Sequence, residues 1–408
     1  MSSLIPAGWA LAKINDTCDV FDSQRIPLNT QERALRKGHY PYYGANGVQG
    51  FIDDFIFDGE YVLLAEDGGY FEEFSSRPIS YLVSGKFWVN NHAHILQAKK
   101  GHETKYIHYS LVHKNILKHI NGGTRSKLNQ SDMRDIEYLA PPLPEQQKIA
   151  TILSSVDDVI EKTRAQIDKL KDLKTGMMQE LLTKGIGHTE FKDSPVGRIP
   201  VSWDVLYLEE LVKAEKNITY GIVQAGAHHD GGVPYIRVSD MTKRALSRNG
   251  MLLTSPEIAE KYQRSAVSCG DIVYALRGVI GHVLVVPKEL DGANLTQGTA
   301  RISPNDKVDS GYLFWAMKSP YVNEQNDLAA KGSTFREVTL ASLRKIQVAL
   351  PELSEQQKIA SIFGSVELNI FSIEDKLAQL KSIKKALMQD LLTGKVRVKL
   401  TDKESAVV

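Results

Sequence analysis

The sequence predicts an α+β protein assembled twice over: two domains of mixed α/β type separated by two long antiparallel coiled-coil helices, related by a pseudo-two-fold internal repeat. Three observations carry this. The stretch PEQQKIATILSSV from Pro144 returns as SEQQKIASIFGSV from Ser354, 210 residues on. From both points apolar positions recur alternately four and three apart over about forty residues, which is a coiled-coil seam. Between the repeats lie two dissimilar inserts with short runs of Val, Ile, Tyr and Phe bounded by turn residues, a pattern of strands.

The repeat is the first element to justify, because self-similarity of this length marks a duplicated structural unit. The same offset carries Arg134, Ile136, Pro141 and Leu143 onto Arg344, Ile346, Pro351 and Leu353 without a gap. It also carries Met178, Gln179, Leu181, Leu182 and Thr183 onto Met388, Gln389, Leu391, Leu392 and Thr393. A shorter echo opens each copy: Ile5, Pro6 and Trp9 reappear as Ile199, Pro200 and Trp203, at an offset of 194. The second copy is therefore 16 residues longer, and the extra length lies inside its insert. Constant frame and variable insert alternate twice: residues 1–143, a spacer helix at 144–185, linker and second domain at 186–353, and a second helix with its tail at 354–408.

The helical seam runs through Leu153, Val156, Ile160, Ile167, Leu170 and Lys174 in the first copy. In the second it runs through Phe363, Val366, Ile370, Leu377, Leu380 and Lys384. The strict 3.5-residue period predicts that the two helices pair with each other, and at about 1.5 Å per residue each is a rod of roughly 60 Å. Matched Lys174 and Lys384 are expected to snorkel to water, with fixing of register the alternative. Ser354 with Gln357 forms a capping-box pattern, Pro144 suits a helix start, and Gly185 and Gly394 stand where glycine stops helices.

Composition narrows the class. A chain of 408 residues accommodates two domains with connecting elements, and no apolar stretch approaches the roughly 18 residues of a membrane span. The N-terminus lacks a basic region followed by an apolar core, so a cytoplasmic location is expected. Cys18 and Cys269, the two cysteines, support neither a disulfide framework nor a zinc site. Net charge is +1, with 15 basic against 16 acidic residues over 10–140 and 17 against 16 over 204–350. Neutral inserts can read base edges, yet alone they bind nucleic acid weakly, because phosphate neutralisation supplies much of the affinity. Partners are expected to provide the rest.

Both inserts end alike, in GGTRSKL from Gly122 and GSTFREV from Gly332. Glycine, a hydroxyl residue and arginine together offer backbone N–H groups and a planar donor fork, the chemistry that phosphates and guanine edges require. Thr124, Arg125 and Lys127 are the candidates there, with Ser333, Thr334 and Arg336. Elsewhere the first insert offers Tyr42, Tyr43 and Asn46 in a glycine-rich loop, and Arg77, Asn91 and His92 as further donors. The second offers Tyr220, Gln224, Arg237, Ser239, Arg277, Asn294 and Gln297. These are candidate DNA contacts by stacking or base-edge hydrogen bonding.

The EQQKIA segment opening a long helix, its duplicate, and two unlike inserts ending in a Gly-rich Thr/Arg loop resemble the specificity subunits of type I restriction-modification systems. GVPYIRVSD, GDIVYALRG and NLTQGTARI look like one type of target recognition domain of that family, and YGANGVQGFIDDFIFDGEYVL looks like another. The resemblance covers nearly the whole chain. It implies that each target recognition domain reads one half of a bipartite, asymmetric site in double-stranded DNA. It implies too that the helices set the gap and dock two adenine-methylating modification subunits, and through them restriction subunits. S-adenosylmethionine, ATP and Mg are then expected on those partners, with no cofactor in this chain.

No catalytic residue is assigned. The string nearest to an adenine methyltransferase motif, Ala140-Pro141-Pro142-Leu143, has neither the amide nor the aromatic, and there is no P-loop lysine motif or nuclease-like Asp with Glu-x-Lys. His92 with His94, or His228 with His229, lacks a further evident ligand, so no metal is expected. The alternative is a non-catalytic coiled-coil scaffold whose inserts bind protein or glycan ligands, against which the EQQKIA duplication argues.

Overall fold

The computed structural model describes residues 5–122, 126–330 and 336–401. The chain forms two compact units, residues 1–164 with 375–408, and residues 165–374. Each unit therefore takes a portion of both long helices, which run Leu143–Leu181 and Leu353–Leu392. Among the described residues no helix is long and apolar enough to cross a membrane.

The helices begin one residue earlier than the sequence suggests. Ser354 consequently lies inside the first turn, where its hydroxyl donates to Glu352 instead of forming the expected capping box. Beyond their last turns Gly185 and Gly394 take φ of +67° and +68°, the left-handed conformation that stops a helix and favours glycine. Seam side chains are buried at Leu153, Ile160, Ile167, Phe363 and Ile370, and half-buried at Val156, Leu170, Val366, Leu377 and Leu380.

Within each unit the two helical portions are antiparallel. In the first unit Asp157 meets Lys384 within the helices, and Glu145, in the first turn of one helix, meets Arg397, just past the end of the other. In the second, Lys171 meets Glu374 at 2.7 Å and Lys174 meets Glu367 at 2.8 Å. The seam lysines thus depart from the snorkelling expectation. Lys174 and Lys384 close half-buried ion pairs across the seam, the second at 2.6 Å to Asp157. Their acceptors, Asp157 and Glu367, are themselves 210 residues apart, so one pairing recurs in both units.

The first insert builds a six-stranded sheet in the order Cys18–Val20, Ala93–Ala98, Phe57–Ala65, Ser80–Val89, Lys37–Gly44 and Gly47–Ile52. Pairing is antiparallel except between Lys37–Gly44 and Ser80–Val89. The second insert builds two smaller sheets instead. One holds Thr219–Tyr220, Thr299–Ile302, Ile272–Ala275 and Val283–Val285; the other holds Leu253–Thr254, Val233–Ile236 and Asn294–Leu295. The frame around them is the same. Ala10–Lys13 pairs antiparallel with Glu137–Ala140, and Asp204–Tyr207 with Gln347–Leu350, each pair leading into a long helix.

The repeated Glu-Gln of the EQQ motif explains itself in this frame. Glu145 accepts from the indole N–H of Trp9 at 3.3 Å and from Arg397; Glu355 accepts from Trp203 at 3.1 Å, from the Ile186 amide at 2.7 Å and from His188 at 3.0 Å. Gln146 donates to the Pro141 carbonyl and accepts from the Glu103 amide, while Gln356 does the same with Pro351 and Asp309. All four side chains are buried and hydrogen-bonded, as buried polar groups must be. The next glutamines, Gln147 and Gln357, are exposed. The motif docks each domain onto the start of a helix.

Candidate nucleic-acid interface

In the second unit the loops at 222–225, 277–278, 296–298 and 336–337 surround a cleft of about 890 Å³. Backbone bonds hold them together: Gln297 N–H donates to the Ile222 carbonyl at 3.1 Å, Leu276 N–H to Gly298 at 2.9 Å, and Arg277 bridges Glu337. Three sequence candidates, Arg277, Gln297 and Arg336, line this cleft with Thr296, Val223 and Glu337. Gly298 makes the approach possible. A Cβ there would stand 2.8 Å from Val238 and 3.1 Å from Arg277 Nε, so the guanidinium lies across bare backbone.

Other candidates of this unit fall elsewhere. Tyr220, Gln224 and Ser239 are exposed but do not line the cleft. Arg237 braces its own turn, its guanidinium gripping buried Asp240 with two bonds of 2.9 Å, and that carboxylate holds it above the ordinary arginine range. Arg336 pairs with Asp327 at 3.1 Å. Asn294 is corrected outright: it is 2% exposed, accepting from Ser265 and donating to the Ala259 carbonyl, so its amide serves the interior. Of the paired histidines, His228 accepts from the Leu253 amide and lies 3.4 Å from Asp230.

In the first unit, segment 66–68 is the meeting point. Asn46 donates to the Gly68 carbonyl at 2.9 Å, His92 lies against Asp67, and exposed Lys127 reaches Glu66 at 3.3 Å while its backbone bridges Asp67. Asn91 is exposed beside them in sequence. Arg77 covers the Tyr70 ring at 3.3 Å and approaches Glu73. Tyr43 is half-buried, edge-on to Phe87. Tyr42 is the second correction: at 1% exposure it packs with Ile52 and Trp88 and shares its hydroxyl with the Leu28 backbone. A tyrosine in a strand alternates between faces, and this one faces in. Thr124, Arg125, Ser333 and Thr334 lie outside the described residues.

Beneath this end of the sheet lies a group of which sequence reasoning raised His94 alone. His94, 1% exposed, meets Asp22 through Nδ1 at 2.6 Å and the Leu128 carbonyl through Nε2 at 2.9 Å. Asp22, Glu66 and His94 are close enough to share a metal ion. Arg25 occupies their midst instead, 2.6 Å from Glu66 and bonded to the Ala93 carbonyl. Burial pushes the Asp22 carboxyl up, but hydrogen bonds and charge from His94, with Gln130 and the Ile95 amide, outweigh it and hold the group below its usual range. The network ties the Lys127–Leu128 strand to the sheet. Positions 22, 66 and 94 share no local spacing, so no motif announced them.

Comparison with known proteins finds the same duplication. A family model described as the type I restriction modification DNA specificity domain matches residues 6–172 and again 200–382. The type I restriction enzyme MjaVIII specificity subunit of Methanocaldococcus jannaschii is 27% identical over 407 residues, covering 97% of this chain and 94% of that one. The putative MjaX specificity subunit of the same organism is 31% identical over 305 residues, covering 73% and 69%. Among solved structures, the type I restriction-modification S subunit from M. genitalium aligns over 96% of this chain and 97% of that chain. Its TM-score is 0.64 at 17% identity, a likeness of fold.

Proposed function

The chain belongs to the type I restriction modification DNA specificity family, and from that premise we propose that it is the non-catalytic recognition subunit of a methyltransferase/endonuclease complex. Each unit presents one target recognition domain, residues 1–143 and 186–353, to one half of a bipartite DNA site. The long helices set the gap between the halves and dock two adenine-methylating modification subunits, through which restriction subunits join. S-adenosylmethionine, ATP and Mg act on those partners, and the assembly works in the cytoplasm.

The observation that carries the reading is the same dock built twice around unlike inserts. Trp9–Glu145 and Trp203–Glu355 hold domains of different sheet topology to equivalent helix starts. Equivalent mounting with divergent readers is what an asymmetric bipartite target demands. The neutral charge of both inserts fits a subunit whose phosphate contacts are shared with partners.

On the recognition surface, the reading takes the cleft residues Arg277, Gln297 and Arg336 in the second unit. In the first it takes the cluster of Asn46, Asn91, His92 and Lys127 with Arg77 and Tyr43. Methylome sequencing of cells with and without this chain tests the proposal. The expected result is a split motif methylated only in its presence, with one half changed when residues 10–140 are exchanged for another member's. If no motif depends on the chain, the scaffold alternative takes its place.

A further inference from the structure

Most partly or fully buried arginines of the second unit are spoken for. Arg237 holds Asp240, Arg301 donates to the Ala266 and Asn217 carbonyls, and Arg344 donates to Ile218. Arg277 differs. It is half-buried, it lines the 890 Å³ cleft, and among the described residues its guanidinium has neither a hydrogen bond nor an ion pair. A partly desolvated cation with unmet donors is costly unless something arrives to accept from it.

Its setting selects the acceptor. Arg277 opens the turn that joins Ile272–Ala275, an inner strand of the four-stranded sheet, to Val283–Val285, and Val279 in that turn is exposed. In the major groove of B-DNA guanine presents O6 and N7 side by side, the acceptor pair that a planar donor fork matches. Glu337 shares the cleft. A carboxylate repels phosphate but accepts from the N4 amino group of cytosine, the base paired with guanine. Fork and carboxylate together match one G·C pair and mismatch a backbone contact.

We propose that Arg277 is a specificity-determining residue that reads a guanine in the half-site of the second unit, with Glu337 placed on the paired cytosine. The inference rests on the reading of the chain as a DNA specificity subunit and adds the base that one residue selects.

The test uses the full chain assembled with its modification subunits and duplex libraries randomised in one half-site at a time, scored by which molecules become methylated. Arg277→Ala should lose preference for one G·C pair by about ten- to a hundredfold, leaving other positions and the other half-site unchanged. Arg277→Lys should weaken it, because an ammonium lacks the fixed planar fork that meets O6 and N7 together. Glu337→Gln should weaken preference at the same pair. A uniform loss over all sequences with a shallower salt dependence, restored by lysine, would mean a phosphate contact and overturn the proposal. Unchanged selectivity in Arg277→Ala overturns it as well. A wild-type complex without any bipartite preference removes the parent reading, and this one with it. Thermal melting equal to wild type, expected because among the described residues the side chain makes no hydrogen bond or ion pair, confirms that the variants are folded.

Discussion

Replacing Glu355 with alanine should uncouple the second domain from its helix. The carboxylate is 8% exposed and accepts from three donors: Trp203 Nε1, the Ile186 amide and His188 Nε2. Hydrogen bonds to a charged acceptor each contribute about 1.5–3 kcal/mol, so the gross loss is about 4.5–9 kcal/mol. His188, a quarter exposed, can turn to water and recover part of this. Trp203 is fully buried, and its indole N–H cannot. A net cost of about 3–5 kcal/mol follows, with about 1–2 kcal/mol for Glu355→Gln, which keeps an acceptor oxygen. Urea unfolding followed by tryptophan fluorescence measures the loss, and amide hydrogen exchange at Ile186 reports whether the dock itself has opened. A cost under about 1 kcal/mol with the Ile186 amide still protected would refute the assignment of the motif as a dock.

Further outcomes follow from the same geometry. Lys174→Met should cost about 1–2 kcal/mol by stranding half-buried Glu367, and the double variant with Glu367→Leu should regain most of it; a double-mutant cycle reads the coupling, and additive losses would dismiss the pair. Burial holds the His108 imidazole down at about 3, whereas the unfolded chain binds that proton near 6.5. The unfolded state therefore carries more protons between those values, and stability falls as pH drops from 6.5 towards 3. His108→Gln should flatten that fall in thermal melts taken from pH 7 to pH 4.5. Asn294→Ala should lower stability by about 1–3 kcal/mol without altering either half-site, measured by melting and methylome sequencing together. A heptad added to both helices, after Ile167 and after Leu377, should lengthen the gap by about 10 Å, or about three base pairs, and leave the half-sites as they were.

The sequence alone determined the duplicated frame, the two long helices and the kind of protein to which they belong. Helix period and repeat are local signals: the 3.5-residue spacing from Leu153 to Lys174 or from Phe363 to Lys384 needs no knowledge of the rest of the chain. Side-chain destinations are not local. Tyr42 and Asn294 read as contact residues beside turns, but strand order and sheet packing turned them inward, whereas Arg277, Gln297 and Arg336 came from three separate loops to one cleft. The seam lysines found partners only because antiparallel packing set Lys174 against Glu367 and Lys384 against Asp157. Asp22, Glu66 and His94 met for the same reason. Burial and pairing are decided by which segments pack together, and that is settled by tertiary structure, not by the residues on either side of each position.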